Sequence, residues 1–266
     1  MEGGSSSLPS WIELPRDLTE NILSRLGQVE ILRNAQRVCT TWRSVCSEPS
    51  LWRVIDIYCY YPGLSYDTRH RICRHAVDRS KGELIDINIE FFCTDDLLHY
   101  ISERSSRLKC LRLTFCESIS GESLTTSVKK FPELEELHLF FMPFITAKVI
   151  EAISISCPNL KSFTFNQHHN WPGLLEIDDS YALTIAKNMP NLRHLCLVGN
   201  KLTNEGLKAI FNGCPNLESL DLRQCFSLDL QGDFGKICSG RIKYLKRPSD
   251  SISINELGNI DLDDED

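Results

Sequence analysis

The sequence predicts an α/β solenoid, with a parallel sheet on the inside and helices on the outside, preceded by a small module of three short helices. Three observations predict it. A leucine pattern recurs at near-constant intervals over most of the chain. The residues flanking that pattern recur with it. The first fifty or so residues carry a helical periodicity of their own and do not share the repeat.

The front module opens with "LPRDLTENILSRL" at residues 14–26. Leu18, Ile22, Leu23 and Leu26 fall on one helical stripe. Asp17 followed by Glu20 has the spacing of a capping box, with Asp as the N-cap, and Gly27 is the expected stop. A second apolar pattern comes next at Val29, Ile31, Leu32 and Ala35. A third lies in "VCTTWRSVC", at Val38, Trp42 and Val45, and Leu51 and Trp52 close the module. Three helices of this size are marginal alone. They also carry more large apolar groups than so small a unit can cover. That excess marks an interaction surface, an end cap for the rest of the chain, or both on different faces.

The repeat then takes over. The pattern L-x-x-L-x-L, with Ile or Phe at some positions, starts at Leu84, Leu108, Leu134, Leu160, Leu192 and Leu217, and a fragment starts at Ile242. The starts are 24, 26, 26, 32, 25 and 25 residues apart. Pro132, Pro158, Pro190 and Pro215 each stand two residues before the first leucine, and Cys157 and Cys214 stand three before it. Eight residues after the first leucine come Cys116, Asn200 and Cys225, where other units have Phe92, Met142 and His168. A helical pattern completes each unit, as in "LTNEGLKAIFNGCPN", where Thr203 is the expected cap. Residues spaced by two point to one face of a short strand, so the second and third leucines face inward. The small or polar group at the eighth position turns inward to hydrogen-bond the neighbouring loop. One unit cannot bury its apolar face, but a stack of units makes a continuous core. The repeat resembles the leucine-rich repeat, in particular its cysteine-containing subclass, over about residues 70–247.

In such a stack the side chains between the core leucines face the concave surface. One row is Asn88, Arg112, His138, Thr164, Cys196 and Asp221; the next is Glu90, Thr114, Phe140, Asn166, Val198 and Arg223. The rows mix acids, bases, aromatics and small groups, which suits a protein partner better than a polyanion. The candidate contacts on this surface are Arg112, His138, Phe140, Asn166, Asp221 and Arg223, about a third of such residues carrying binding energy. The one long spacing falls on "NQHHNWPGLLEIDDS", residues 166–180, which is expected to be an elongated rim loop with Trp171 as an anchor. Its two adjacent histidines cannot both point the same way on a strand, and no third ligand is fixed, so no metal and no cofactor are expected. Residues 67–82 are locally basic but read as a helix with a solvated outer face.

Composition agrees with a globular protein: of 266 residues 42% are hydrophobic and 24% charged. Net charge is −7, and seven of the 36 acids lie in residues 249–266, which leaves 29 acids against 29 bases in the body. A neutral body gives no general pull toward nucleic acid, and the acidic end reads as a solvated, disordered tail whose removal beyond about Pro248 is tolerated. Twelve cysteines are too few for a disulfide scaffold of this length, no C-x-x-C pair occurs, and "MEGGSSSLPSW" lacks the apolar core of a signal peptide. The cysteines are therefore expected to be reduced small hydrophobes in a protein of the cytoplasm, the nucleus or both. No apolar run approaches a membrane span, and no serine-hydrolase elbow, Walker loop, dinucleotide fingerprint or H-E-x-x-H occurs.

The front module carries a second resemblance. Leu14-Pro15, Ile22-Leu23, Leu26, Val38-Cys39, Trp42-Arg43 and Leu51-Trp52 occur in the order of an F-box. The domain organisation is then a flexible start at 1–9, an F-box at 10–57, a solenoid of about six repeats at 58–248 and the acidic tail at 249–266. An F-box followed by leucine-rich repeats is similar to the small plant F-box/leucine-rich-repeat proteins. The resemblance implies a non-catalytic substrate receptor of an SCF-type ubiquitin ligase. By it, Leu14, Pro15, Ile22, Leu23 and Leu26 bury against the S-phase kinase-associated adaptor, which links to cullin and RING subunits, and Trp42 borders that contact. The repeats then hold an unidentified protein substrate. The alternative is a leucine-rich-repeat scaffold or inhibitor, uncoupled from ubiquitination, whose front module only caps the array. A capping role buries the Leu14/Pro15/Ile22/Leu23 face within the chain, and a receptor role leaves it open.

Overall fold

The computed structural model describes residues 14–57, 63–167 and 177–252. It begins with three short helices, α1 (Arg16–Leu23), α2 (Gln28–Arg33) and α3 (Thr40–Val45), with single 3-10 turns at Ala35–Arg37 and Pro49–Trp52. Strands and helices then alternate: β1 (Val54–Ile57), α4 (Tyr66–Ser80), β2 (Asp86–Glu90), α5 (Asp95–Ser102), β3 (Cys110–Thr114), α6 (Gly121–Val128) and β4 (Glu136–Phe140). They continue as α7 (Ala147–Ser156), β5 (Ser162–Asn166), α8 (Ser180–Asn188), β6 (His194–Cys196), α9 (Asn204–Gly213), β7 (Ser219–Asp221), α10 (Gly232–Arg241) and β8 (Tyr244–Lys246). The eight strands form one parallel sheet in sequence order. That is the α/β solenoid that the leucine spacing predicts.

The repeat pattern maps onto packing position by position. The first leucines, Leu84, Leu108, Leu134, Leu160, Leu192 and Leu217, are buried, and so are the strand pairs they introduce, such as Ile87/Ile89 and Leu111/Leu113. The eighth-position donors reach back one repeat. Cys116 Sγ donates to the Ile89 carbonyl at 3.6 Å, Asn200 Nδ2 to the Phe165 carbonyl at 2.7 Å and Cys225 Sγ to the Leu197 carbonyl at 2.9 Å. The proline-linked turns are tied in the same sense. Asn159, Asn191 and Asn216 each donate to the carbonyl of the proline one repeat earlier, Pro132, Pro158 and Pro190, at 3.3–3.4 Å. Cys157 and Cys214 sit beside these turns, with thiols directed at the Val128 and Met189 carbonyls.

A third ladder runs where the strands end. The residue seven after the first leucine is left-handed in five units: Phe91 (φ 68°), Phe115 (49°), Phe141 (54°), Gly199 (73°) and Gln224 (61°). Glycine meets that geometry freely, whereas a bulky residue there costs about 1–3 kcal/mol. The cost is met locally. Each of these amides donates to the next repeat, Phe91 to Thr114, Phe115 to Phe140 and Phe141 to Asn166, at 2.8–3.0 Å. The three rings also stack, with centroids 5.1 and 4.6 Å apart. Helix starts are joined too: Asp95 accepts from the amide and hydroxyl of Ser120, and Asp179 from those of Thr203, all at 2.7–2.8 Å. Thr203 caps α9, as the sequence predicts.

The front module departs from its predicted details. The N-cap of α1 is Pro15, not Asp17, and it makes no side-chain cap bond; Asp17 lies in the first turn, where a carboxylate suits the helix dipole. Gly27 does not end α1 but precedes α2 as its N-cap. The last residues of this front segment, Val54–Ile57, form the first strand of the sheet and pair with β2. One buried core runs without a break from Leu23 to Ile242. The outer edge of β1 is closed by Gln28, whose amide nitrogen donates to the Val54 carbonyl at 2.7 Å and whose amide oxygen accepts from Asp56 N at 3.0 Å. An open sheet edge is a template for unwanted pairing, and this side chain occupies it. Arg79 of α4 fastens the other side, donating to Gln36 Oε1 (2.8 Å) and the Cys46 carbonyl (3.2 Å) while lying over the Trp52 ring. The front module is therefore an end cap of the array on its inner face.

Replacing Asn200 by Ala removes the buried donor to the Phe165 carbonyl. The expected loss is about 1–3 kcal/mol of unfolding free energy, read by urea denaturation monitored by circular dichroism.

Candidate functional site

Two surfaces are left for partners by this packing. The first is the outer face of the front module. Helix α1 has two sides. Thr19 and Leu23, four residues apart, face inward and are buried. Leu18 and Ile22, also four apart, lie on the other side; Leu18 is 50% exposed and Ile22 partly so. Pro15 is exposed and Leu14 is partly exposed at the start of this side, and Val38 is 60% exposed beyond the 3-10 turn. The single stripe read from the sequence thus divides. Leu23 is not a contact residue of the free surface: it is 0% exposed and belongs to the shared core with Val45 and Trp52. Leu26 and Trp42 are partly buried against the same core. Leu18 and Val38, which the sequence pattern does not place among the contacts, are the most open apolar groups of the module among the described residues. The reason is geometric. A period of 3.6 residues brings i and i+4 together but turns neighbours such as Ile22 and Leu23 apart by about 100°.

Polar contacts hold this face in place. Arg16 pairs with Glu48, and Ser50 Oγ donates to Glu20 Oε1 at 2.5 Å, so α1 is tied to the segment after α3. Cys39 Sγ accepts from Trp42 N at 3.4 Å and caps α3.

The second surface is the concave sheet. The register aligns Asn88, Arg112, His138, Thr164, Cys196 and Asp221 across six adjacent strands, as the sequence predicts. The row extends at both ends, to Asp56 on β1 and Lys246 on β8. Lys246 holds the same offset from Ile242 as Asp221 does from Leu217, so the fragment at the end of the repeat already signalled it. Much of the row is cross-bonded. Arg112 Nη1 meets Asp86 Oδ1 at 2.6 Å, His138 Nδ1 lies 2.8 Å from Thr164 Oγ1, and Asn88 donates to Asp56 and Glu90. Phe140 is partly exposed and stacks on His138.

Two candidate contacts are structural instead. Asn166 is buried, and its Oδ1 accepts from Val198 N (3.1 Å) and Cys196 Sγ (3.2 Å). Arg223 has a side chain only 4% exposed and holds Asp221 through Nε (2.9 Å) and Nη2 (2.6 Å), with Nη1 on the Ser251 carbonyl at 3.0 Å. Both belong to the row at the ends of the strands, where Phe140 is partly exposed but these two are buried. Asp221 is shared with Lys246 at 3.7 Å and keeps part of its surface open. Beside it lies a shallow depression lined by Thr164, His194, Cys196, Asp221, Tyr244 and Lys246. Trp171 and the centre of the predicted rim loop lie outside the described residues, between β5 and α8. The basic helix α4 is only partly free, since Arg74 pairs with Asp96 and lies over Tyr100, and Arg79 is internal.

The eleven described cysteines are free thiols. Burial pushes Cys73 and Cys157 up to about 12 and Cys214 to about 11; burial and the Asp221 charge raise Cys196 to about 12. Such thiols stay protonated and pack as small hydrophobes and weak donors. Among the described residues no helix is long and apolar enough to cross a membrane.

Known proteins share this two-part architecture. The family described as "F-box-like" matches residues 11–58, and "Leucine Rich repeats (2 copies)" matches residues 190–232. The chain is 45% identical over 265 residues to "F-box protein SKIP19" of Arabidopsis thaliana, covering 99% of this chain and 85% of that protein. It is 48% identical over 246 residues to "Putative F-box/LRR-repeat protein 23" of the same plant, covering 92% of this chain and 54% of that protein, so it spans about half of this longer relative. The solved structure titled "Crystal structure of Rad7 and Elc1 complex in yeast" contains a chain with the same fold, at TM-score 0.53 and 14% identity, covering 88% of this chain and 69% of that one.

Replacing Arg223 by Ala removes both its hold on Asp221 and its bond to Ser251. Breaking a buried pair from one side costs about 3–5 kcal/mol, so thermal unfolding is expected several degrees lower. Truncation after Pro248 also removes the Ser251 acceptor and the Arg247–Asp250 turn. Asp250 and Ser251, within the predicted tail, thus make contacts with the solenoid. That truncation is expected to melt about 2–4 °C below one made after Ile252 in a calorimetric comparison. An array of strand–helix repeats with an F-box-like end cap, matched over nearly its whole length by such proteins, makes this chain a member of the F-box/LRR-repeat protein family.

Proposed function

We propose that the chain is a non-catalytic substrate receptor of an SCF-type ubiquitin ligase, docking the S-phase kinase-associated adaptor through its front module and a protein substrate through its repeats. The observation that carries this reading is the unspent outer side of α1: Pro15, Leu18 and Ile22 stay open while Thr19 and Leu23 build the chain's own core. End-capping the solenoid needs only the inner side. A second apolar side on an F-box-like helix supports adaptor binding, with Leu14 and Val38 at its margins. The scaffold alternative accounts for the inner side alone.

The receptor does no bond chemistry in this reading. It raises the local concentration of a substrate lysine near the charged conjugating enzyme, and geometry sets the gain. The unbroken core between module and solenoid supports that role, because it fixes the concave face relative to the adaptor face. Arg112, His138, Phe140 and Asp221 are the substrate-facing groups, and Tyr244 and Lys246 extend them. Their mixed signs favour a polypeptide over a polyanion. The cullin and RING subunits would join through the adaptor, in the cytoplasm, the nucleus or both.

The test is equilibrium binding of the full chain to purified adaptor. Leu18→Asp places a charge in the contact and is expected to weaken binding by about 30-fold or more, with the melting curve unchanged. Leu23→Ala is expected to lower stability by about 2–5 kcal/mol, because it opens a cavity in the core. Wild-type chain that folds but does not bind the adaptor overturns the reading and leaves the scaffold.

A further inference from the structure

Two neighbouring strands bring three different metal-ligating side chains together on the concave face. Cys110 and Glu136 are register partners on β3 and β4, and His138 stands two residues after Glu136 on the same side of β4. Their donor atoms all lie within 4.8 Å of one another. Cys110 Sγ is 3.7 Å from Glu136 Oε2, and His138 Nε2 is 3.4 Å from the same oxygen. A tetrahedral zinc with bonds of about 2.0–2.3 Å needs donors about 3.3–3.8 Å apart. Two edges of that tetrahedron are therefore already set.

The imidazole is oriented for the role. His138 Nδ1 lies 2.8 Å from Thr164 Oγ1 on the next strand. In the tautomer that a metal requires, Nδ1–H donates to that hydroxyl and Nε2 is left to the cation in place of its contact with Glu136 Oε2. The Cys110 thiol proton now bridges to the same oxygen, and a cation takes that proton's place. An outer hydrogen bond that fixes the ring is also the usual support of a metal-bound histidine. The charges close as well. Once a metal has displaced the Cys110 proton, Cys110, Glu136 and Asp86 against Arg112 leave two negative charges to meet the dication, and Arg112 is turned to Asp86 at 2.6 Å. Cys110 is 6% exposed, whereas Glu136 opens to solvent, so a fourth position is left for water.

We propose that Cys110, Glu136 and His138 form a binding site for a borderline-soft divalent cation, zinc by donor set, with Thr164 as the positioning residue of His138. Binding replaces the Cys110 proton with a metal–sulfur bond and releases that proton to solvent. The site shares His138 with the proposed substrate face and does not depend on adaptor docking.

The experiment titrates the reduced full-length chain with Co²⁺ as a spectroscopic stand-in, then displaces it with Zn²⁺ against a chelator. One equivalent is expected to give the visible bands of a four-coordinate cobalt site and a near-ultraviolet thiolate-to-cobalt band. Cys110→Ser should abolish the thiolate band, and His138→Ala should weaken Zn²⁺ binding at least tenfold. Thr164→Val should weaken it by about 10-fold while leaving the thiolate band in place. All three retain the core leucines, and melting curves confirm folding. Absence of the cobalt bands in the wild-type chain overturns the site, as does a thiolate band of equal strength in Cys110→Ser.

Discussion

No unit of this solenoid can bury its own apolar face, and every other feature of the chain answers that constraint. The leucines of one strand close over those of the next, and each class of polar group left at the seams is passed across the same joint. Strand-end amides reach forward to the next repeat, while eighth-position side chains and turn asparagines reach back. The left-handed phenylalanines show how strongly the joint is favoured. Their backbone sits in a costly region, and there each amide makes the forward hydrogen bond and the rings stack.

A stack has ends, and the N-terminal end explains the front module. The first strand would present an unpaired edge and an open layer of core. Gln28 satisfies the edge, and Leu23, Val45 and Trp52 fill the layer. Arg79 then ties the module to the first outer helix. The two segments legible in the sequence share one continuous core. The outer side of α1 and the concave face are joined by a continuous core rather than by a linker.

The concave face illustrates how far residue type and residue role can separate. Arg223 and Asn166 have the chemistry of contact residues, and their offset from the leucines puts them on the predicted row. Both are spent inside the chain, Arg223 on Asp221 and Ser251, Asn166 on Val198 and Cys196. Sequence offsets give the face of a strand but not whether a loop covers it. The row at the centre of the strands, from Asn88 to Lys246, keeps most of its groups reachable, and His138 of that row meets Cys110 and Glu136 of the row before it across a strand boundary.

The sequence by itself determined the solenoid, its register and its order. A two-residue alternation inside a repeat of 24–32 residues leaves one way to align the strands, and the Asn200 and Cys225 positions announce their inward hydrogen bonds. It also determined the front module, through apolar groups in excess of what three small helices can cover. Only the tertiary structure decided how that excess divides. Leu18 and Leu23 are equal in hydropathy and five residues apart, and which of them is core depends on how α3 lies against α1. The same holds for the ends of the strands and the start of the tail, where burial is set by loops from other repeats. Local periodicity fixes which residues share a face; contacts between distant segments fix which faces are spent.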